Sequence, residues 1–253
     1  MLEVLQVNLQ HSRASSATLG RLLKREATDV TLIQEPYVVG GSVQGLGITK
    51  GKLLFCRNVD RPRSAIFVRE NISYMLMSDF CSRDLVAIKM RTHMEGNVRE
   101  MVLASAYLPY EDEDAPTPEL RRLVSQCRNN GLQLIIGCDA NSHHTVWGSS
   151  NINKRGEYLL NFIMSENLEI MNRGDKPTFR NAIRSEVIDL TLSTRVIANW
   201  IEGWHVSDEL TLSDHMYLKF SIKNKILTES LYRNPRKTDW GMHIETFRNR
   251  TME

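Results

Sequence analysis

"LQLIIGCDAN", residues 132–141, is an apolar run that delivers an acid and a carboxamide where it ends. Leu132 to Cys138 have the length and composition of a buried strand, so Asp139 and Asn141 stand where the chain leaves the core. The pattern recurs. "DVTLIQEP" (29–36) ends on Glu35, "LEVLQVNLQ" (2–10) carries Asn8, and "VIDLTLS" (187–193) carries Asp189. "LTLSDHMYLKF" (210–220) sets Ser213, Asp214 and His215 side by side where an alternating strand should enter its core. Singly, each has a plain reading as an Asx turn or strand cap. Five strand ends together point to one cleft, where a cation and mutual hydrogen bonds offset the cost of burying carboxylates.

Working outward, "KLLFC" (52–56), "SAIFV" (64–68), "LVAIKM" (85–90), "VLASAYL" (102–108), "LEIMN" (168–172) and "MYLKFSI" (216–222) also read as strands. Helical spacing appears three times. Residues 15–27 align Leu19, Leu22, Leu23 and Ala27; residues 118–130 align Leu120, Leu123, Val124 and Cys127; residues 155–168 align Tyr158, Leu159, Phe162 and Ile163. Helices scattered among many strands, without an internal repeat, predict an α/β sandwich with helices on the outer faces of its sheets. "YEDEDAPTPE" (110–119) reads as a solvated loop before a helix. The tail from residue 225, with its basic proline-bearing break, reads as a linker, leaving 1–224 as the folded domain.

Several classes fall away. No window is apolar for the roughly 18 residues that a membrane span needs, and the N-terminus alternates like a strand instead of carrying a signal peptide, so an intracellular chain without membrane attachment is expected. Cys56, Cys81, Cys127 and Cys138 have no CxxC spacing, which argues against disulfides and thiolate zinc. A net charge of +2 does not by itself announce nucleic acid.

Carboxylates, carboxamides and one histidine, with no nucleophilic Ser or Cys motif, suit hydrolysis of a phosphate ester. A hard cation such as Mg²⁺ neutralises charge on the phosphate, a carboxylate activates water, and amide and imidazole donors hold the nonbridging oxygens. Zinc on His143 and His144 of "SHHTVWG" is disfavoured, because adjacent residues point apart; loop structure or base contact fits them better.

The ordered series "QVNLQ", "IQEP", "SAYLPY", "GCDANSHH", "VIDLTL" and "LSDH" resembles the exonuclease/endonuclease/phosphatase superfamily typified by apurinic endonucleases, over nearly the whole chain to about residue 222. Together with "RGEYLLNFI" and "NRGDKPTF" it looks like the endonuclease domain of non-LTR retrotransposons, particularly the site-specific elements that insert into telomeric repeats or ribosomal genes. The resemblance implies a four-layer α-β-β-α sandwich and assigns roles. Glu35 would bind the metal, supported by Asn8 and Asp214. Asp139 would orient or deprotonate the attacking water, with Asn141 holding it in register. Tyr107 would stand beside the phosphate, and His215 would donate to it, its tautomer fixed by Asp189. His143, Trp147 and the arginines of "RNAIRSE" (180–186), Arg180 and Arg184, are candidates for DNA contact, the last stretch reading as a hairpin tip beside Asp189. Two departures stand out: Gln10 lies where many repair enzymes carry an acid, and Ala140 replaces the usual Phe.

The implied function is a Mg²⁺-dependent nick in one strand of duplex target DNA, with Mn²⁺ able to substitute. The nick would leave a 3′-hydroxyl for the reverse transcriptase of the same polyprotein, and the site of action would be the nucleus. A host apurinic/apyrimidinic repair endonuclease is the nearest alternative, a phosphatase or deadenylase a third. An inactive DNA-binding module has no use for this carboxylate set.

Overall fold

The computed structural model describes residues 1–47, 50–94, 97–112, 114–223 and 225–226. Two sheets stack face to face. The first runs in the order Ile201–Val206, Leu218–Ile222, Leu2–Asn8, Val30–Gln34, Ser64–Arg69, Gly51–Phe55. The second runs Leu168–Ile170, Asp189–Thr194, Gln133–Asp139, Asn97–Tyr107, Leu85–Met94, Lys225–Ile226, with Met75–Cys81 also paired to Leu85–Met94. Lys225 and Ile226, the first residues of the expected linker, thus pair with His93 and Thr92, and residues 227–253 of that segment lie outside the described residues.

Helix α1 (Arg13–Arg25) is capped by Ser12, whose side chain accepts from Ser15 N, and lays Leu19, Leu22 and Leu23 against Leu5, Val7 and Ile33 of the first sheet. Helix α2 (Pro118–Asn129) starts after the Thr117 cap with Pro at its first position; helix α3 (Lys154–Ser165) starts after Asn153. Both pack on the outer face of the second sheet through Leu120, Leu123, Leu159 and Phe162. Between the sheets, Leu2, Val4, Leu32 and Ile66 of one meet Val86, Ile88, Leu103 and Ile135 of the other. This is the expected α-β-β-α sandwich. A fourth, short helix α4 (Arg195–Ala198) follows the strand of Asp189.

The register positions the site. In the second sheet Asp139 lies beside Tyr107 in a parallel pair and beside Asp189 in an antiparallel one. In the first, Asn8 lies beside Gln34, whose neighbour Glu35 turns out of the strand at φ 45°.

The differences from expectation are local. The strand of "MYLKFSI" begins at Leu218, so Ser213 to Tyr217 form irregular backbone tied down by side chains. Met75–Cys81 and Ile201–Val206 were not expected as strands: the first is an edge with mostly exposed residues, and the second is broken by Gly203 (φ 62°) at a register shift.

Candidate active site

At the end of the second sheet His215 Nδ1 donates to Asp189, with Oδ2 at 2.9 Å and Oδ1 at 3.0 Å, and both residues are buried. The Phe179 ring meets the imidazole edge-on at 4.9 Å between centroids. Burial opposes a charged ring, but Asp189 outweighs it and the His215 pKa rises to about 9. Asp139, Asp189 and His215 place ligand atoms within 4.8 Å of one another, a group able to hold a metal ion.

Asp139 is 2% exposed, and each of its oxygens has a donor: Asn8 Nδ2 to Oδ2 at 2.8 Å and Asn141 N to Oδ1 at 3.2 Å. Burial raises its pKa far above the usual carboxylate range; the Asp189 carboxylate adds to this, while His215 and Asn8 oppose it. Asn141 adopts φ 45° and donates through Nδ2 to Leu108 O at 3.2 Å. Asn8 Nδ2 also donates to Glu35 Oε2 at 3.0 Å, so one carboxamide joins the carboxylates of the two sheets. Glu35 is half-buried; burial works to raise its pKa, but hydrogen bonds from His11 and Asn8 win and hold it low. Of the acids here, Glu35 is open enough to share a cation, whereas the Asp189–His215 pair is closed and already satisfied.

The polar triplet of the opening pattern is accounted for. Ser213 Oγ donates to Asn8 O at 2.8 Å, His215 N donates to Ser213 Oγ, and Gln10 receives Asp214 N at 2.8 Å while its own amide donates to Asp214 Oδ2 at 3.2 Å. Asp214 therefore sits at the rim with Gln10, outside the buried group of Asp139, Asp189 and His215. Tyr107 lies under the Arg63 guanidinium at 4.6 Å, and burial together with Glu35 and Asp139 pushes its hydroxyl pKa up.

Residues 180–186 do form a hairpin, Phe179–Arg180 pairing with Ser185–Glu186. Arg180 N donates to Asp214 O at 2.7 Å, and Thr178 Oγ1 accepts from Asp189 N, which roots the hairpin in the site. Arg180 and Arg184 are exposed, Arg184 lying over the Phe179 ring at 5.0 Å. Ile183, at the tip, is 93% exposed. His143 is held by Asn151 Oδ1 at 2.8 Å and lies 3.8 Å from Glu186, so it braces two loops. Trp147 is a correction. It is 3% exposed and packed in the core with Val187 and Ala140, because the 3₁₀ turn Thr145–Trp147 sends the indole inward and leaves Val146 facing solvent.

Four residues were missed. His11 contacts Glu35; Arg63 forks onto Asp84; Glu186 takes Ser150 N and Oγ; and Arg155 Nε and Nη2 donate to Asn141 O and Ala140 O behind the Asp139 loop. Each gains its place from contacts between segments far apart in sequence, and the sequence holds no local signal for them.

Comparison with known proteins converges on one answer. Residues 101–219 match the family described as endonuclease-reverse transcriptase. The chain is 27% identical over 228 residues to the 115 kDa protein in type-1 retrotransposable element R1DM of Drosophila melanogaster, covering 85% of this chain and about a fifth (21%) of that protein. It superposes on the endonuclease domain of TRAS1, a telomere-specific non-LTR retrotransposon, with a TM-score of 0.73 and 26% identity, covering 88% of this chain and 99% of that one. The Xenopus laevis APE2 catalytic domain shares the fold, with a TM-score of 0.67, 15% identity, and 89% and 93% coverage. The chain shares its fold with these nucleases, and the matches make it a nuclease. Within that fold, the chain is similar to the retrotransposon proteins matched here, and the family match spans residues 101–219, a little under half of the chain. Among the described residues no helix is long and apolar enough to cross a membrane.

Trp147→Ala should cost about 3–5 kcal/mol of stability, the range for emptying a buried aromatic site, in urea unfolding, and leave the DNA affinity of the folded protein unchanged. Wild-type stability with lost DNA binding would return Trp147 to the surface role.

Proposed function

We propose that this domain nicks one strand of duplex DNA with Mg²⁺, or Mn²⁺ in its place, and leaves a 3′-hydroxyl that the reverse transcriptase of its polyprotein extends. The observation that carries the reading is the bridge made by Asn8, which holds the Glu35 and Asp139 carboxylates together next to the His215–Asp189 pair. Residues 1–224 would be the catalytic unit and the following segment the connection to the polymerase, working in the nucleus where chromosomal DNA lies.

Asp139, oriented by Asn8 and Asn141 N, takes the proton of a water attacking phosphorus, and its raised pKa makes it a competent base near neutral pH. The bond from phosphorus to O3′ breaks and O3′ takes a proton from solvent, giving a 5′-phosphate and a 3′-hydroxyl. His215, its Nδ1 committed to Asp189, offers Nε2–H to a nonbridging oxygen, with Tyr107 beside it. Glu35, with Asn8 and Asp214 nearby, would hold a divalent cation, which would supply further neutralisation of phosphate charge. Arg180 and Arg184 would meet the DNA backbone, with the hairpin and the loop of His143 forming one braced surface.

On a supercoiled plasmid with Mg²⁺, Asp139→Ala or His215→Ala should lower the single-turnover nicking rate about a hundredfold or more while DNA affinity persists, and EDTA should abolish nicking. Near-normal turnover by either variant overturns the assignment, and a large preference for abasic over intact duplex favours the repair alternative.

The pH dependence has a definite sign. His215 must be protonated to donate, so the rate should fall as pH passes about 9, and Asp189→Asn, which removes the carboxylate that raises this pKa, should move the fall to lower pH. An alkaline limb that ignores Asp189→Asn would contradict the donor role.

A further inference from the structure

His11 lays its imidazole against Glu35. Its Nε2 lies 3.3 Å from Glu35 Oε1, and its Nδ1 is 3.1 Å from Pro36 O. A carbonyl can only accept, so Nδ1 carries a hydrogen and Nε2 is the ring atom aimed at Glu35: in the metal-free site it donates to Oε1, and a cation seated between the two would take the place of that hydrogen. Ligating histidines are characteristically held in this way, with the second ring nitrogen donating to a backbone carbonyl. The separation also fits: neighbouring ligands on an octahedral ion with bonds of roughly 2.1 Å stand about 3 Å apart.

The backbone is shaped for the pairing. His11 N donates to Glu35 O at 2.7 Å, and Gln10, His11 and Glu35 hold φ of 50°, 53° and 45°, a region that residues with a Cβ adopt only where surrounding structure compels it. Gln10 is already engaged, its side chain hydrogen-bonded to Asp214 and Ser213. The residue after it turns toward Glu35. The His11 ring is 46% exposed on its side chain, so an ion and its waters have access.

We infer that His11 is a ligand of the divalent cation, sharing it with Glu35 through Nε2; the inference rests on the proposed role of Glu35 as the metal-binding glutamate. A seat of mixed nitrogen and oxygen donors favours Mn²⁺ and later first-row ions over Mg²⁺ more than an all-oxygen seat does. The plainer arrangement is an ion pair between a protonated His11 and Glu35 with no ligand role.

Electron spin-echo envelope modulation on the whole chain loaded with Mn²⁺ separates the two. Imidazole nitrogen modulation is expected in the wild type and in His215→Ala, and its loss in both His11→Gln and His11→Ala, each checked as folded by circular dichroism. Calorimetry should show Mn²⁺ affinity falling about tenfold or more in His11→Gln, within the range seen when metal-site groups are removed, with a smaller change for Mg²⁺. Modulation that persists without His11, that vanishes in His215→Ala, or that is absent in Mn²⁺-loaded wild type overturns the ligand role while leaving Glu35 in place. Failure to bind Mn²⁺ at all, with nicking that survives EDTA, overturns the role of Glu35 as well.

Discussion

Everything at the site depends on two sheets being held at one spacing and one register just beneath it. Side chains on a strand repeat every second residue, and one step below the reacting groups lies a buried polar tier. Gln6 stands below Asn8, Ser105 below Tyr107, Gly137 below Asp139 and Thr191 below Asp189, with Gln34 adjoining Glu35. Gln6 Nε2 reaches across to Cys138 O and Leu190 O, and its Oε1 accepts from Thr191 Oγ1. Gln34 Nε2 reaches Ser105 Oγ and Gly137 O, and Ser64 Oγ closes the set on Ser105. Apolar faces can slide over one another; directional hydrogen bonds in a low-dielectric interior cannot. Gly137 is required by this tier, since a Cβ there would stand 2.7 Å from both Gln6 Oε1 and Leu32 Cδ1.

Held so closely, the acids must be kept from repelling one another. Asp139 and Asp189 are direct partners in the sheet register, and two buried carboxylates at that spacing do not both ionise freely. The protein divides the load. Asp189 is neutralised by His215, Asp139 shares its excess with a donor on each oxygen, and Glu35 turns outward to where cations are available. Burial that raises the pKa of Asp139 and charge pairing that raises that of His215 suit the two groups to the opposite duties proposed for them, a base and a donor.

Much of this was legible in the chain because strands that end in a polar residue reveal both the strand and its polarity. The two-sheet architecture, the three long helices and the convergence of Asn8, Glu35, Asp139, Asp189 and His215 all follow from apolar runs and where they stop. The rest depends on three-dimensional closeness. Trp147 reads as a surface aromatic in a polar loop until the 3₁₀ turn directs it inward. Ser213 to Tyr217 continue an alternating pattern, yet hydrogen bonds to Asn8 O and Gln10 take them out of the strand. Arg155 and Thr178 act on backbone groups distant in sequence, and His11 reaches Glu35 from a turn in which Gln10 and His11 both take the left-handed conformation.

The most direct measurement is the chemistry of the ends it makes. A plasmid nicked by this domain in Mg²⁺ should carry one interruption in one strand, extended by a DNA polymerase without prior treatment, with the phosphate retained on the 5′ terminus at the break. Ends that resist extension until a 3′-phosphate is removed, or cleavage confined to abasic positions, would contradict the account.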